Sequence, residues 1–589
     1  MAQIPNLDNA PVNFTALRER SQKELLNVLK NVRGKKCLVI DPKLGGSLSL
    51  LIQTSLLKEN GTELRHAEPV QTECSKVLYL VRPQLNLMKF ISSHIQNDVS
   101  KGLQKEYYVY FVPRRTVVCE KILEEEKVHH LITFGEYPLY ILPVDEDVLS
   151  CELDLAFGEC VIDGDTSALW HVANAIHKLE FSFGVIPTVR AKGKGSAKIV
   201  DILNSLQVEE PVNASDMGTP EINMLILVDR EVDMVTPMCF QLTYEGLLDE
   251  ILQVNNGAVE VDASIIGAQQ ERNKVKVPLN SSDKLYKDIR DLHFEEVVQV
   301  LREKATSMQK DYTDVKTTQS QSVSELKDFV KKLNSLPEIA RHVSLAQHLQ
   351  TFTCKPSFHS RLDIEQTILE SQNFDLCFEY IEEMIHKQES MINVFRLLVL
   401  LSVTNNGLPK KNFDYLRREI LHSYGFEHMP ALYILEKAGL FKRQESKSNW
   451  LVISKALQLI ASESEASKPD DISYIFSGYA PLSIRIVQHA IRSGWRSIDE
   501  ILRLLPGPHV DLKRGGSTNS SPFDNVPGAQ SNIDRVADGR RALVLVFFVG
   551  GVTFAEIAAL RFLSSQVLHL LPKLRPLIFY LHTQHTILM

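Results

Sequence analysis

The sequence predicts an α/β protein that also carries a large all-helical region. Uninterrupted apolar runs at 37–40, 77–81 and 107–112 alternate with helical patterns at 15–33, 48–59 and 84–96. A strand apolar on both faces is what a buried parallel sheet needs, and strands returning through helices build a doubly wound sheet. From about 240 to 500 the apolar spacing becomes helical, and at 542–549 the strand style resumes. The helical stretch therefore reads as an insertion between two pieces of one α/β domain.

With 589 residues the chain exceeds what one core usually organises. The expected division is 1–140 as a first α/β domain, 141–240 with 500–589 as a second, and 241–499 as the helical domain. Further buried strands are expected at 160–162 and 224–228. After Asp165 a helix places Leu169, Val172, Ala173 and Ile176 on one face. Polar breaks fall at 209–221, 309–322 and 462–470, and the Gly-, Ser- and Asn-rich stretch 511–540 buries too little apolar surface to order itself.

Composition excludes several classes. Hydrophobic residues make up 44% and charged residues 23%, as in soluble globular proteins. A net charge of −8 spread over the whole length is no footprint for nucleic acid. Eight scattered cysteines without a C-x-x-C pair read as reduced thiols. No apolar stretch reaches membrane-spanning length and no leader pattern opens the chain, so a membrane role is expected only through partners.

A search for chemistry finds no complete motif. Gly45 and Gly46 in DPKLGGSLS lack dinucleotide spacing, and AKGKGSAK (191–198) lacks phosphate-loop spacing. Neither a nucleophile elbow nor a zincin helix is present, and the adjacent His129 and His130 cannot share a helical face. No cofactor and no metal is expected.

Two constellations stand out. In VDREVDMVTPMCFQLTYEGLLDEI (228–251), Asp229, Arg230 and Asp233 occupy a turn after a buried strand. They read either as an acid/base pair or as an Asp–Arg–Asp ion network locking the corner. Thr236 is placed to cap the next helix with Pro237 at its first position, and Tyr244, Leu247, Leu248 and Ile251 share a face. In VFFVGGVTFAEIAALRFL (546–563), Gly550 and Gly551 permit a sharp turn, and Thr553 with Glu556 forms a capping box.

These two segments resemble signatures of the Sec-one/Munc-eighteen-like (SM) family. FVPRRTVVCEKIL (111–123), SYGFEHMPALYILEKAGL (423–440), DISYIFSGYAPLSIR (471–485) and LLPGPH (504–509) resemble its vacuolar-sorting branch. The resemblance implies a non-enzymatic, three-domain, arch-shaped protein that cradles SNARE helices and templates their assembly. It also implies membership of the HOPS and CORVET tethering complexes, through an α-solenoid partner bordered by Tyr424 and Phe426. A helical hairpin at about 283–350 would contact SNAREs through Leu326, Phe329, Val330, Leu333, Pro337, Ile339 and Val343, with Pro337 as the hinge where it unfurls. The competing reading of those side chains is a hairpin packed on its own domain. The resemblance fades after Ser565. Residues 566–589, with Pro572 and Pro576, are expected to leave the second sheet short of a strand.

Overall fold

The computed structural model describes residues 4–59, 62–66, 72–153, 155–212, 220–266, 274–317, 336–461, 469–514, 542–570 and 574–580. Contacts gather them into two compact units. One comprises Met1–Glu152, Asn255–Ala258 and Lys276–Ser281, and the other holds the remainder.

In the first unit, β1 (Lys36–Ile40), β2 (Thr62–His66), β3 (Lys76–Val81), β4 (Glu106–Phe111) and β5 (Ile132–Glu136) form a parallel sheet ordered β2-β1-β3-β4-β5. Leu38, Ile40, Leu78 and Leu80 enter one core with Leu29 and Leu48, while Val39, Val77, Tyr79 and Val81 enter another with Met88 and Ile95. Burial on both faces explains the unbroken apolar runs. The polar strands β2 and β5 escaped the sequence reading because edge positions need no such run. The helix expected at 48–59 is in fact two, Pro42–Leu51 and Thr54–Glu59, interrupted by the extended backbone of Ile52. The first starts early because Asp41 caps it, accepting from Lys43 N at 3.0 Å, with Pro42 at its opening position. By contacts this unit extends to Glu152 and includes the hairpin of β6 (Leu142–Asp145) and β7 (Val148–Ser150), with Ser47 hydrogen-bonded to Glu152.

The second unit contains β8 (Thr188–Lys192) and β9 (Ile222–Asp229). β10 (Ala258–Asp262) and β11 (Lys274–Pro278) make a separate two-stranded ladder. β12 (His509–Lys513), β13 (Ala542–Val549) and β14 (Leu574–Tyr580) complete the order β12-β8-β9-β13-β14. Every pairing in that order is parallel except β12 with β8. The helix Met391–Thr404 is buried on all sides, from Val394 through Ser402.

Four expectations are corrected here. Residues 160–162 are not a strand: they lie in a π-helical turn, Glu159–Asp163, closed by left-handed Gly164, and three apolar residues are too few to fix a period. The break at 309–322 is helical as far as Thr317, within Phe294–Thr317. The stretch 511–540 begins as strand, since Asp511, Leu512 and Lys513 pair with β8, and 515–541 lies outside the described residues. Finally, the tail does supply a strand. β14 pairs with β13 from Ala542↔Leu574 to Phe548↔Tyr580, after a helix Phe554–Leu570. Pro576 disfavours a helix there, but PLIFY is a continuous apolar run of the kind parallel strands carry.

Candidate functional site

The two signature segments leave adjacent strands side by side, since Val549 at the end of β13 is in register with Asp229 at the end of β9. Gly550 and Gly551 turn the chain with φ of 102° and 108°, a region that disfavours any side chain. Glu556 then meets Arg230 in a two-pronged pair, with Nη1 at 2.8 Å from Oε2 and Nη2 at 3.0 Å from Oε1. The same guanidinium donates twice to the Asp233 carbonyl, at 3.0 and 2.7 Å. Burial works against the Arg230 cation, yet the Glu556 and Asp233 carboxylates outweigh it and hold its pKa above the ordinary value.

The expected Asp229–Arg230–Asp233 network is therefore redrawn. Successive residues at a strand end point to opposite sides, so Asp229 faces away toward another element. It accepts from Gly195 N (2.7 Å), Ser196 N (2.8 Å) and Ser196 Oγ (2.5 Å) at the start of the helix Lys194–Glu209. Free N–H groups at a helix start attract anions, and here a carboxylate of the chain itself takes that place. A Cβ on Gly193 would come within 2.2 Å of the Asp229 carboxyl, so this glycine serves internal packing. Gly46 is similar: it lies inside the helix Pro42–Leu51 rather than in a turn, and a Cβ there would reach Asn256 at 2.1 Å. Burial pushes the Asp229 carboxyl up to about 6, against the downward pull of its bonds from Ser196 and Gly195.

Thr236 does not cap the following helix. With Pro237 it forms a 3-10 turn, Thr236–Met238, in which its N and Oγ1 donate to Asp233 at 2.9 and 2.6 Å. Thr243 caps the helix Tyr244–Leu252 instead, accepting from Gly246 N at 3.2 Å. The capping box forms as expected: Thr553 N donates to Glu556 Oε2 (2.9 Å) and Glu556 N to Thr553 Oγ1 (3.1 Å). Ser483, from the run 471–485, joins in by donating its N to Asp233 (2.9 Å) and its hydroxyl to Glu556. Asp229, Arg230, Asp233 and Glu556 are at most 5% exposed. The arrangement is an interior brace, with its polar groups turned on one another.

Accessible chemistry lies on helices. Leu326, Phe329, Val330 and Leu333 lie outside the described residues. Pro337 is exposed and stands second in the helix Leu336–Thr353, where its missing N–H costs no helical bond. Ile339, His342, Leu345, Ala346 and Leu349 are buried, while Pro337, Ala340, Val343 and Gln347 are exposed. Ile339 thus packs inward, and Val343, about 40° further round the helix, emerges at the rim of the buried face with 41% exposure.

Tyr424 is half-buried, its hydroxyl donating to the Glu389 carbonyl at 2.6 Å, whereas Phe426 is 64% exposed. Met429 and Tyr433, one helical turn apart on Met429–Lys437, are exposed too, as is Ile434. The sequence reading missed these three. The i, i+4 spacing of Met429 and Tyr433 just after Phe426 was the available signal.

The family model described as "Sec1 family" matches residues 36–587. The vacuolar protein-sorting-associated protein 33 homolog of Arabidopsis thaliana is 66% identical over 568 residues, covering 96% of this chain and 95% of that protein. Vacuolar protein sorting-associated protein 33A of Rattus norvegicus is 36% identical, covering 95% and 94%. Among solved structures, the SM protein Vps45 in complex with Qa SNARE Tlg2 has a TM-score of 0.57 at 15% identity, covering 97% of each chain. The Unc18–syntaxin 1 complex from Monosiga brevicollis gives 0.56 at 16%, covering 97% and 98%. The fold is that of SM proteins.

Two substitutions test the brace. Arg230→Ala leaves the Glu556 charge buried without its partner, and chemical denaturation should show a loss of about 3–5 kcal/mol. Asp229→Ala strips the acceptor from two backbone N–H groups and should cost about 1–3 kcal/mol. Inorganic phosphate should then raise the melting temperature of Asp229→Ala while leaving the parent chain unmoved. An equal response in both proteins would contradict the self-filled anion position.

Proposed function

The chain belongs to the Sec1 family, and from that premise we propose that it binds SNARE helices and promotes their assembly during transport to the vacuole and late endosome. In this reading it is the SNARE-binding subunit of HOPS and CORVET tethering complexes, cytoplasmic and peripheral on those membranes. The observation that carries the proposal is the helix Leu336–Thr353, which buries one face and leaves Pro337, Ala340, Val343 and Gln347 open. An open helical face beside a buried one is the surface an amphipathic partner helix uses. The names of the vacuolar-sorting relatives support the pathway, and the titles of the solved neighbours, which pair SM proteins with a Qa SNARE and a syntaxin, support the partner class. No helix among the described residues is long and apolar enough to cross a membrane, which agrees with attachment through partners.

A pull-down with purified vacuolar and endosomal SNARE motifs is the direct test, and capture of none would overturn the proposal. Pro337→Ala frees the preceding residue from the restriction that proline imposes. If the competent hairpin is only partly populated, calorimetry should show severalfold tighter SNARE binding with the fold intact. Unchanged affinity for every motif captured by the parent chain would remove Pro337 from the mechanism.

The exposed side chains of Phe426, Met429, Tyr433 and Ile434 are proposed to seat the α-solenoid partner, with Tyr424 at the border, its hydroxyl held by the Glu389 carbonyl. Phe426→Asp should alter stability by no more than about 0.5 kcal/mol, as exposed substitutions do. It should nonetheless sharply reduce co-purification of that partner; full recovery of the complex would place the contact elsewhere.

A further inference from the structure

His342 lies at the centre of a buried polar chain that the SNARE-binding reading does not use. Its ring is fully buried, with Nδ1 at 3.0 Å from the Tyr244 hydroxyl and Nε2 at 3.0 Å from Asp283 Oδ2. Tyr286 stacks on one face of the ring (5.7 Å, 13°), and Tyr244 meets it edge-on (5.9 Å, 68°). A neutral imidazole satisfies both contacts in a single arrangement: the tyrosine O–H donates to Nδ1, and Nε2–H donates to the carboxylate. Asp283 Oδ1 also accepts from Tyr286 N at 3.0 Å, capping the helix Lys284–Ile289, and Arg341 lies 3.6 Å from Oδ2. Three helices, Tyr244–Leu252, Lys284–Ile289 and Leu336–Thr353, thus converge on one ring.

We propose that His342 is a positioning residue that fixes the rotation of the helix Leu336–Thr353 about its own axis, and with it the set of side chains offered to a partner. Resting on the SNARE-binding reading, the inference adds that the helix from Ile339 onward stays anchored while a partner is accepted. The physical reason is directionality. An apolar ring would tolerate sliding, whereas two hydrogen bonds in a dry interior are costly to break and fix the ring's orientation. A slip by one residue turns the helix about 100° and would carry Val343 away from the open face.

Two full-length variants test this. Tyr244→Phe removes only a hydroxyl, and His342→Phe keeps an aromatic ring, somewhat larger, while removing both hydrogen bonds. Hydrogen exchange on the free protein should show amides 340–349 losing protection by on the order of tenfold, with β9 and β13 unchanged. Calorimetry with a SNARE motif captured by the parent chain should show about tenfold weaker binding by His342→Phe, from lost preorganisation. Unchanged protection in both variants, or a loss shared equally by β9 and β13, would overturn the anchor. Lower melting temperature with unaltered affinity, measured where both variants are folded, would overturn the positioning role. If the parent chain captures no SNARE motif, the functional reading fails, and the exchange data still decide the anchor.

Discussion

Arg230 and Glu556 are separated by 326 positions and meet in a dry interior, each at most 1% exposed. Removing either partner would strand a buried charge, so the pair is tolerable only with both strand ends in place. That requirement binds the second unit together. β9 and β13 must be neighbours, the glycine turn after β13 must bring the capping box back, and Ser483 must arrive from the far end of the helical region to complete the set. The long helical excursion is anchored at its departure by Asp233 and at its return by Ser483, which bond to each other.

The same internal use of polar groups disposes of the features that looked like chemistry. The glycine-rich start of the helix Lys194–Glu209 has the N–H groups of an anion site, and the Asp229 carboxylate fills it. Gly46 makes room for Asn256, and Gly193 for Asp229. Val343 on the helix after Pro337, and Phe426 and Tyr433, are among the exposed apolar side chains. In the proposed role of holding partner helices, rigid and correctly rotated faces matter more than reactive groups, and the hydrogen bonds of the buried His342 ring are proposed to control rotation at one of them.

The central strands β1, β3, β4, β9 and β13 were legible because burial on both faces demands unbroken apolar runs, whereas the central β8 was not, since Arg190 and Lys192 break its run. The edge strands β2, β5 and β12 were not, since one side needs no partner and polar residues suffice there. β14 was misjudged because Pro576 was weighed against a helix rather than allowed in a strand. At the candidate sites, local signals survived: the Thr553–Glu556 box spans four residues and formed as read. The capping role given to Thr236 failed because a 3-10 turn intervened and Thr243 lay nearer the true helix start.

By itself, the sequence determined what is local or periodic: fold class, the strands that are apolar throughout, the glycine turn, the capping box, and through its signature runs the family. Only the tertiary structure decided the partners: Glu556 rather than Asp229 for Arg230, the helix at Gly195 for Asp229, Tyr244 and Asp283 for His342. Periodicity records which face a residue presents, but pairing across hundreds of residues depends on which elements pack together. That choice is made by the summed burial of whole strands and helices, and a charge or a ring then bonds to whatever the packing brings within reach.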